Sequence, residues 1–399
     1  MRLIQRFRAM LLLSALFLLF LFSAVRKDVV SGAEGALKHS WLRQTGIRTQ
    51  VPTSPNINVS YRFRTSIPEN GAYWNRLLHS GLKRADKGKD QPWHHCRETN
   101  QELMDTNVHN LASYPLLLQN FLRGMKCRSP PLLVDQPGKC EENATFLLFA
   151  IKSIPANFER RQAVRDSWGR ERLHDAGQRV RTVFMLGTAS PDDPDLSALV
   201  QFEAERYGDI VQADFYESLF NLTLKMNAFL QWTLERCSRV SFVFSGDDDV
   251  VVNTPALLGY LLSLDSSKAS RLYAGHVIKN ASPLRDPKSK YFIPMSFYEG
   301  PYPTYVGGAG FVFSGALLAP LYSISGIIPF FPIDDVYTGM CFSALGVSPE
   351  AHAGFQTFDI RERDRENLCA YKKLILVHRR SPQQLKRIWR GIHSPLLTC

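Results

Sequence analysis

The sequence predicts an α/β fold with a mostly parallel central sheet, carried behind an N-terminal transmembrane anchor and a stem. Three observations predict it. From residue 140 onward apolar strand-like runs alternate with stretches of helical apolar spacing, an uncharged apolar run lies near the N-terminus, and a polar, proline-punctuated segment separates the two. The 399 residues are 45% hydrophobic and 21% charged, which suits a large buried core and excludes a collagen-like, low-complexity or wholly disordered chain.

The anchor comes first. Arg2, Arg6 and Arg8 precede the uncharged run from Ala9 to Val25, at the short end of the roughly 17 to 25 residues that span a bilayer. Phe22 spoils Ser23-Ala24 as a cleavage site and Arg26 and Lys27 follow at once, so the run reads as an uncleaved anchor over 9–25. The arginines place residues 1–8 in the cytosol and everything after the anchor in the lumen, and the short span favours the thinner membranes of the early secretory route. Residues 26–71, with Pro52, Pro55 and Pro68 and no sustained periodicity, read as a stem without packed structure. Residues 72–139 have helical spacing at Leu111, Leu116, Leu117, Phe121 and Leu122 and are expected to cap the main domain, 140–399.

A lumenal body agrees with two further counts. Asn58, Asn143, Asn221 and Asn280 each head a glycosylation tripeptide. The seven cysteines lack the close pairs of a zinc site and suit an oxidising compartment, although about a hundred three-bridge schemes remain open. A net charge of +11 suits nucleic acid, an anionic membrane or a phosphorylated small substrate, and the anchor disfavours nucleic acid.

Within 140–399, the runs at 144–152, 181–187, 209–215 and 240–246 read as strands. Helices are expected over 157–168, 195–207 and 218–237, with caps at Asn157, Asp195 and Ser218. Such alternation places ligands beyond the carboxyl ends of the strands. There the sequence puts Asp247, Asp248 and Asp249, whose mutual repulsion calls for a cation such as Mg²⁺ or Mn²⁺ or for hydrogen-bond donors. A solvated acidic turn is the competing reading, and the apolar runs on both sides favour the cation.

Arg160, Arg161 and Arg165 on the first helix suit a diphosphate or, equally, a solvated helix face. The glycines of Tyr305–Phe311 suit close approach of a ligand or a β-bulge. Asp334 and Asp335 open a helical pattern, where one acid suffices as a cap and the other is left for chemistry. His378 closes an apolar run, a position that is more often structural than catalytic.

Together RRQAVRDSWG (160–169), FNLTLK (220–225), FSGDDDVVVN (244–253), YVGGAGF (305–311), PIDDVYTGMC (332–341) and LVH (376–378) resemble the β1,3-glycosyltransferases of the Golgi. With AYWNR (72–76) and the seven cysteines, the likeness is greatest to the polylactosamine-type β1,3-N-acetylglucosaminyltransferases, over roughly 72–399. The resemblance implies a GT-A type fold and an inverting reaction that moves GlcNAc from UDP-GlcNAc to the 3-hydroxyl of a galactose-terminated glycan. It implies Mn²⁺ held by Asp249 and His378, Asp247 and Asp248 at the ribose and phosphate region, and Asp335 as general base. Arg161, Arg165 and Lys225 would line the donor site, and Tyr291, Tyr305, Gly307 and Gly308 the acceptor site. Association with itself or with other transferases is left open.

Ser245, His276 and Ala309 depart from the pattern, standing where Lys, Asp and Gly are usual. A β1,3-galactosyltransferase using UDP-Gal is the near alternative. An inactive lumenal glycan- or partner-binding protein is the distant one, and the clustered carboxylates weigh against it.

Overall fold

The computed structural model describes residues 58–89, 91, 108, 110–141, 144–174, 177–189 and 193–399. The expected anchor, most of the stem and Asn143 lie outside them, and no helix among the described residues is long and apolar enough to cross a membrane.

The strands in chain order are β1 (Leu132–Val134), β2 (Leu147–Lys152), β3 (Arg172–Leu173), β4 (Arg179–Thr188), β5 (Ile210–Tyr216) and β6 (Phe242–Asp247). They continue with β7 (Val251–Val252), β8 (Tyr273–Ile278), β9 (Tyr305–Ser314), β10 (Glu350–Ala351), β11 (Phe355–Gln356) and β12 (Leu376–Val377). The main sheet runs β1-β5-β4-β2-β6-β9-β8-β10, with β3 joined to β4, and β11-β12-β7 form a small second sheet.

Only half of the main sheet is parallel. β5, β4, β2 and β6 pair in parallel, as the strand–helix alternation requires, but β9 runs antiparallel to both β6 and β8 and β1 antiparallel to β5. The sheet is therefore mixed, correcting the mostly parallel expectation. The reason is the connection: a loop, Lys279–Thr304, leads into β9 where a crossover helix would have preserved direction.

Alternation along the buried strands divides two cores. Leu148, Ala150, Val183, Met185, Val243 and Phe313 face one side, where the helices Leu222–Arg236, Leu318–Ser325 and Asp334–Ala344 pack. Leu147, Phe149, Ile151, Phe184, Phe244 and Val312 face the other, under the helices Phe158–Arg165, Thr254–Leu262 and Pro382–Ile392. The three expected helices form over Phe158–Arg165, Pro194–Tyr207 and Leu222–Arg236, with Asn157 at the N-cap of the first as expected and other residues capping the second and third. Asp193 accepts from Leu196 N in place of Asp195, Ser218 Oγ accepts from Asn221 N just before its helix, and the Asn157 amide is diverted to Asp248.

Two domain expectations are corrected. Packed structure begins within the expected stem, since Val59, Phe63 and Ile67 recur at helical spacing around Tyr61–Ser66 and are all buried. The region before 140 is no separate cap either: β1 is an edge strand of the main sheet, and the helix Tyr73–Ala85 drives Trp74 into the core. Trp74 Nε1 donates to the Pro329 and Phe330 carbonyls, and its ring meets Tyr298 and Phe331 edge-on. Trp74→Ala is expected to cost about 3–5 kcal/mol, the range for emptying a large buried aromatic site. Denaturant unfolding checks this, and a loss below about 1 kcal/mol would mean that the segment is only laid on the surface.

Disulfides join Cys140 to Cys237 and Cys369 to Cys399, Cys127 is also disulfide-bonded, and Cys341 is free and buried. Asn58 and Asn280 are exposed. Asn221 is half-buried, its amide donating to the Tyr216 carbonyl, while the Thr223 hydroxyl of the same tripeptide is buried and donates to Phe331 O.

Candidate active site

The acidic triplet stands where β6 ends, beside the end of β2, and the three carboxylates have three different surroundings. Asp248 points inward, almost wholly buried. Its Oδ2 accepts from Ser153 Oγ at 2.7 Å and Asn157 Nδ2 at 2.9 Å, and its Oδ1 meets Arg160 at 3.2 Å. Asp248 thus anchors the loop after β2 to the triplet, its carboxylate held by protein groups where the donor was expected.

Asp247 and Asp249 turn the other way, toward His378. One ligand atom from each of the three lies within 4.8 Å of the others. The chain places the imidazole by two devices: β12 pairs with β7, and Arg380 N donates to Asp249 O across a left-handed residue, Arg379, at φ 62°. His378 Nδ1 lies 2.8 Å from Thr357 O, and because a carbonyl can only accept, Nδ1 carries the hydrogen. In the neutral ring the Nε2 lone pair then faces Asp249 Oδ1 at 3.2 Å and Asp247 Oδ2 at 3.9 Å. Burial would depress the imidazole, but Asp249 outweighs it and holds it above its ordinary value. Burial would likewise raise Asp249, but His378 and Arg160 bring it below the usual carboxylate range.

These residues fit a divalent cation. Asp249 Oδ1 is buried with no hydrogen-bond partner, facing a histidine nitrogen whose other nitrogen is fixed by a carbonyl, the arrangement that orients a metal-ligating imidazole. Two carboxylates and one imidazole form a donor set compatible with Mn²⁺. The geometry adds Asp247 to the pair taken from the sequence.

Lys152 connects this cluster to the second acidic pair. It ends β2, directly across from Asp247 on β6, and its buried ammonium lies 3.1 Å from Asp247 Oδ1, 3.1 Å from Asp334 Oδ2 and 2.9 Å from Gly308 O. Burial would lower the ammonium, but the two carboxylates hold it raised. Burial raises the Asp247 carboxyl despite Lys152. Asp334 is therefore a partner of Lys152, and the helix cap falls on Ile333.

Asp335, the next residue, faces β9. Its Oδ2 accepts from Gly308 N at 3.1 Å and its Oδ1 from Val336 N at 2.8 Å. Burial above all, then the neighbouring Asp334, push its carboxyl up to about 7. A carboxyl that titrates near neutrality suits a general base.

The glycines of β9 make room for protein more than for ligand. A side chain at 308 would meet Asp335, and one at 307 would strike the Thr357 methyl, so Gly307 is buried away from any acceptor. Between the Gly275–Phe311 and Val277–Val306 pairs the register shifts, placing 307–310 opposite His276 alone: a bulge. Tyr305 is half-buried, and burial raises its phenol, with Asp335 and Tyr291 adding to the effect. Tyr291 is exposed, its ring under the Lys290 ammonium. These two tyrosines thus stand on the Asp335 side of the site.

The expected donor-site cations are corrected. Arg161 is fully buried and spends its five N–H groups on Glu203, Ser153 and the Ile154 and Pro155 carbonyls. Arg165 forks onto Asp209 and Glu203 between the rings of Phe184 and Tyr207. Lys225 is buried beneath Ser153 O and paired with Glu217, and burial lowers its ammonium. Arg160 alone of the helix arginines reaches the acids, within 3.2 Å of both Asp248 and Asp249. Sequence reasoning missed Lys152, although a charge closing the buried run LLFAI was a signal available to it.

A cluster of acids facing a histidine at the carboxyl edge of a mixed α/β sheet, with a carboxyl raised to about 7 beside it, is the kind of site found in glycosyltransferases. Residues 159–353 match the Galactosyltransferase family model. The chain is 49% identical to the mouse N-acetyllactosaminide β-1,3-N-acetylglucosaminyltransferase 2 over 74% of each chain, and 38% identical to the human UDP-GlcNAc:βGal β-1,3-N-acetylglucosaminyltransferase 8 over 87% of each. It belongs to the β1,3-N-acetylglucosaminyltransferases of the Galactosyltransferase family. Among solved structures, mouse xyloside xylosyltransferase 1 matches 59% of this chain and 96% of its own at 12% identity and a TM-score of 0.30, a likeness too distant to bear on the chemistry.

Proposed function

We propose that this protein is an inverting transferase of GT-A type that moves GlcNAc from UDP-GlcNAc to the 3-hydroxyl of a β-galactose on glycoprotein or glycolipid glycans. The observation that carries the reading is Asp335, a buried carboxylate raised to about 7, oriented by the Gly308 N–H and tied through Asp334 and Lys152 to the Asp247, Asp249 and His378 cluster. One base suffices for a single displacement, whereas a retaining glycosidase needs a second carboxyl as nucleophile.

In this reaction the acceptor hydroxyl gives its proton to Asp335 as its oxygen attacks the anomeric carbon, the bond to the diphosphate breaks with inversion, and UDP leaves. Gly308 N–H and Val336 N hold the Asp335 oxygens in place, and Lys152 offsets the negative charge of Asp247 and Asp334. Mn²⁺ held by Asp249, His378 and Asp247 would, when bound, take up negative charge on the departing diphosphate. Tyr291 and Tyr305 would face the acceptor.

A Golgi location with the body in the lumen is supported by the disulfides, which form in oxidising compartments, and by the anchor read from the sequence. The decisive experiment offers the lumenal fragment UDP-GlcNAc or UDP-Gal with a lactosamine acceptor. Transfer of GlcNAc is expected. Galactose transfer alone would make it a galactosyltransferase, and no transfer from either would return it to a binding role.

A further inference from the structure

Arg160 sits in the first turn of the Phe158–Arg165 helix, and its Nη1 touches two carboxylates at once, Asp248 Oδ1 and Asp249 Oδ2, each at 3.2 Å. Two features set it apart from its neighbours. Its side chain is 40% exposed, against 0% for Arg161 and 10% for Arg165, so it can swing out without leaving a buried hole. Asp248 keeps Ser153 and Asn157 on its Oδ2 when Arg160 swings out, so it stays anchored and only its Oδ1 gives up a partner.

Asp249 differs. As a ligand for a divalent cation, it is the carboxylate that Arg160 already neutralises. A guanidinium is always charged, so arginine and cation compete for that carboxylate by direct repulsion. A diphosphate changes the balance, because it offers the guanidinium fork two anionic oxygens that it can engage in a bidentate pair.

We propose that Arg160 exchanges partners: it neutralises Asp249 in the resting protein, then yields that carboxylate to the divalent cation and turns to the donor's diphosphate. Cation and nucleotide then bind cooperatively, each favouring the other by the same factor. The inference rests on the cation site proposed above and assigns to Arg160 the contact with the donor that Arg161 and Arg165 are too enclosed to make.

Calorimetry on the folded lumenal fragment tests it with Mn²⁺ alone, and with Mn²⁺ at saturating UDP. Arg160→Met keeps the length of the side chain and removes its charge. It should bind Mn²⁺ alone about two- to fivefold more tightly, the scale of one partly exposed ion pair, while UDP in the presence of Mn²⁺ binds at least about tenfold more weakly. The enhancement of Mn²⁺ binding by UDP should shrink accordingly. Arg160→Lys, which retains the charge without the fork, should leave Mn²⁺ binding near wild type and recover part of the UDP affinity. Equal or weaker Mn²⁺ binding by Arg160→Met, at an unchanged unfolding midpoint, overturns the exchange. If the wild-type protein takes up no Mn²⁺ even with UDP, the cation site itself fails, and the exchange with it.

Discussion

Asp335→Asn should bind UDP-GlcNAc as the wild type does and turn over at least about a hundredfold more slowly, the low end of what a positioned general base contributes. Asparagine keeps the shape and can still accept the Gly308 N–H through its carbonyl oxygen, giving up only the local bond from Val336 N, so folding should suffer little. The raised carboxyl adds a pH signature. Because burial and Asp334 push Asp335 up to about 7, it is protonated and unable to act as base below that value. Wild-type kcat/KM should therefore rise with pH through about 7 and level off above it. Asp334→Asn removes the neighbouring charge, so its rise should move to lower pH and its rate at pH 7 should exceed that of the Asp335 variant. A dead Asp334 variant beside a nearly normal Asp335 variant would mean that the roles are reversed.

Asp249→Ala should abolish Mn²⁺-dependent UDP binding, weakening it by more than the roughly 10–100-fold that follows loss of a mere supporting group. Two observations place the effect there: Asp249 Oδ1 is a buried carboxylate oxygen without a hydrogen bond, and it lies opposite His378 Nε2. The substitution removes a carboxylate that is only partly enclosed, so the unfolding midpoint should stay close to wild type. Calorimetry with and without Mn²⁺ reads the result. Unchanged Mn²⁺-dependent affinity would make the triplet a solvated, structurally anchored turn.

The presence and common direction of strands β2, β4, β5 and β6 were legible because a buried parallel strand is an apolar run and periodic helices lie between them. The direction of β9 was not, since an antiparallel strand entered from a loop has the same composition as a parallel one. In the site, Asp249, His378 and Asp335 were picked out by their motifs, and the fold brings Asp249 and His378 together with Asp247 and sets Asp335 against Gly308. The arginines were misassigned for a definite reason. Arg161 and Arg165, four residues apart, share one helix face, and Glu203 and Asp209, on and just after a helix some forty residues later, take both, whereas Arg160 points to another side and reaches the triplet. Lys152 escaped notice because its partners, Asp247 and Asp334, come from two remote segments that only the sheet brings together.

Truncation of the chain from its N-terminal side is constrained by the short helix Tyr61–Ser66. Ser60 N donates to Ala344 O, at the far end of the helix that begins with Asp334 and Asp335, and Phe63 and Ile67 are buried in the same core as Val336 and Met340. A protease cutting between Ile67 and Tyr73 would strip the support from behind the helix that holds the base. A fragment that keeps its activity must therefore retain Val59 and the short helix that follows it.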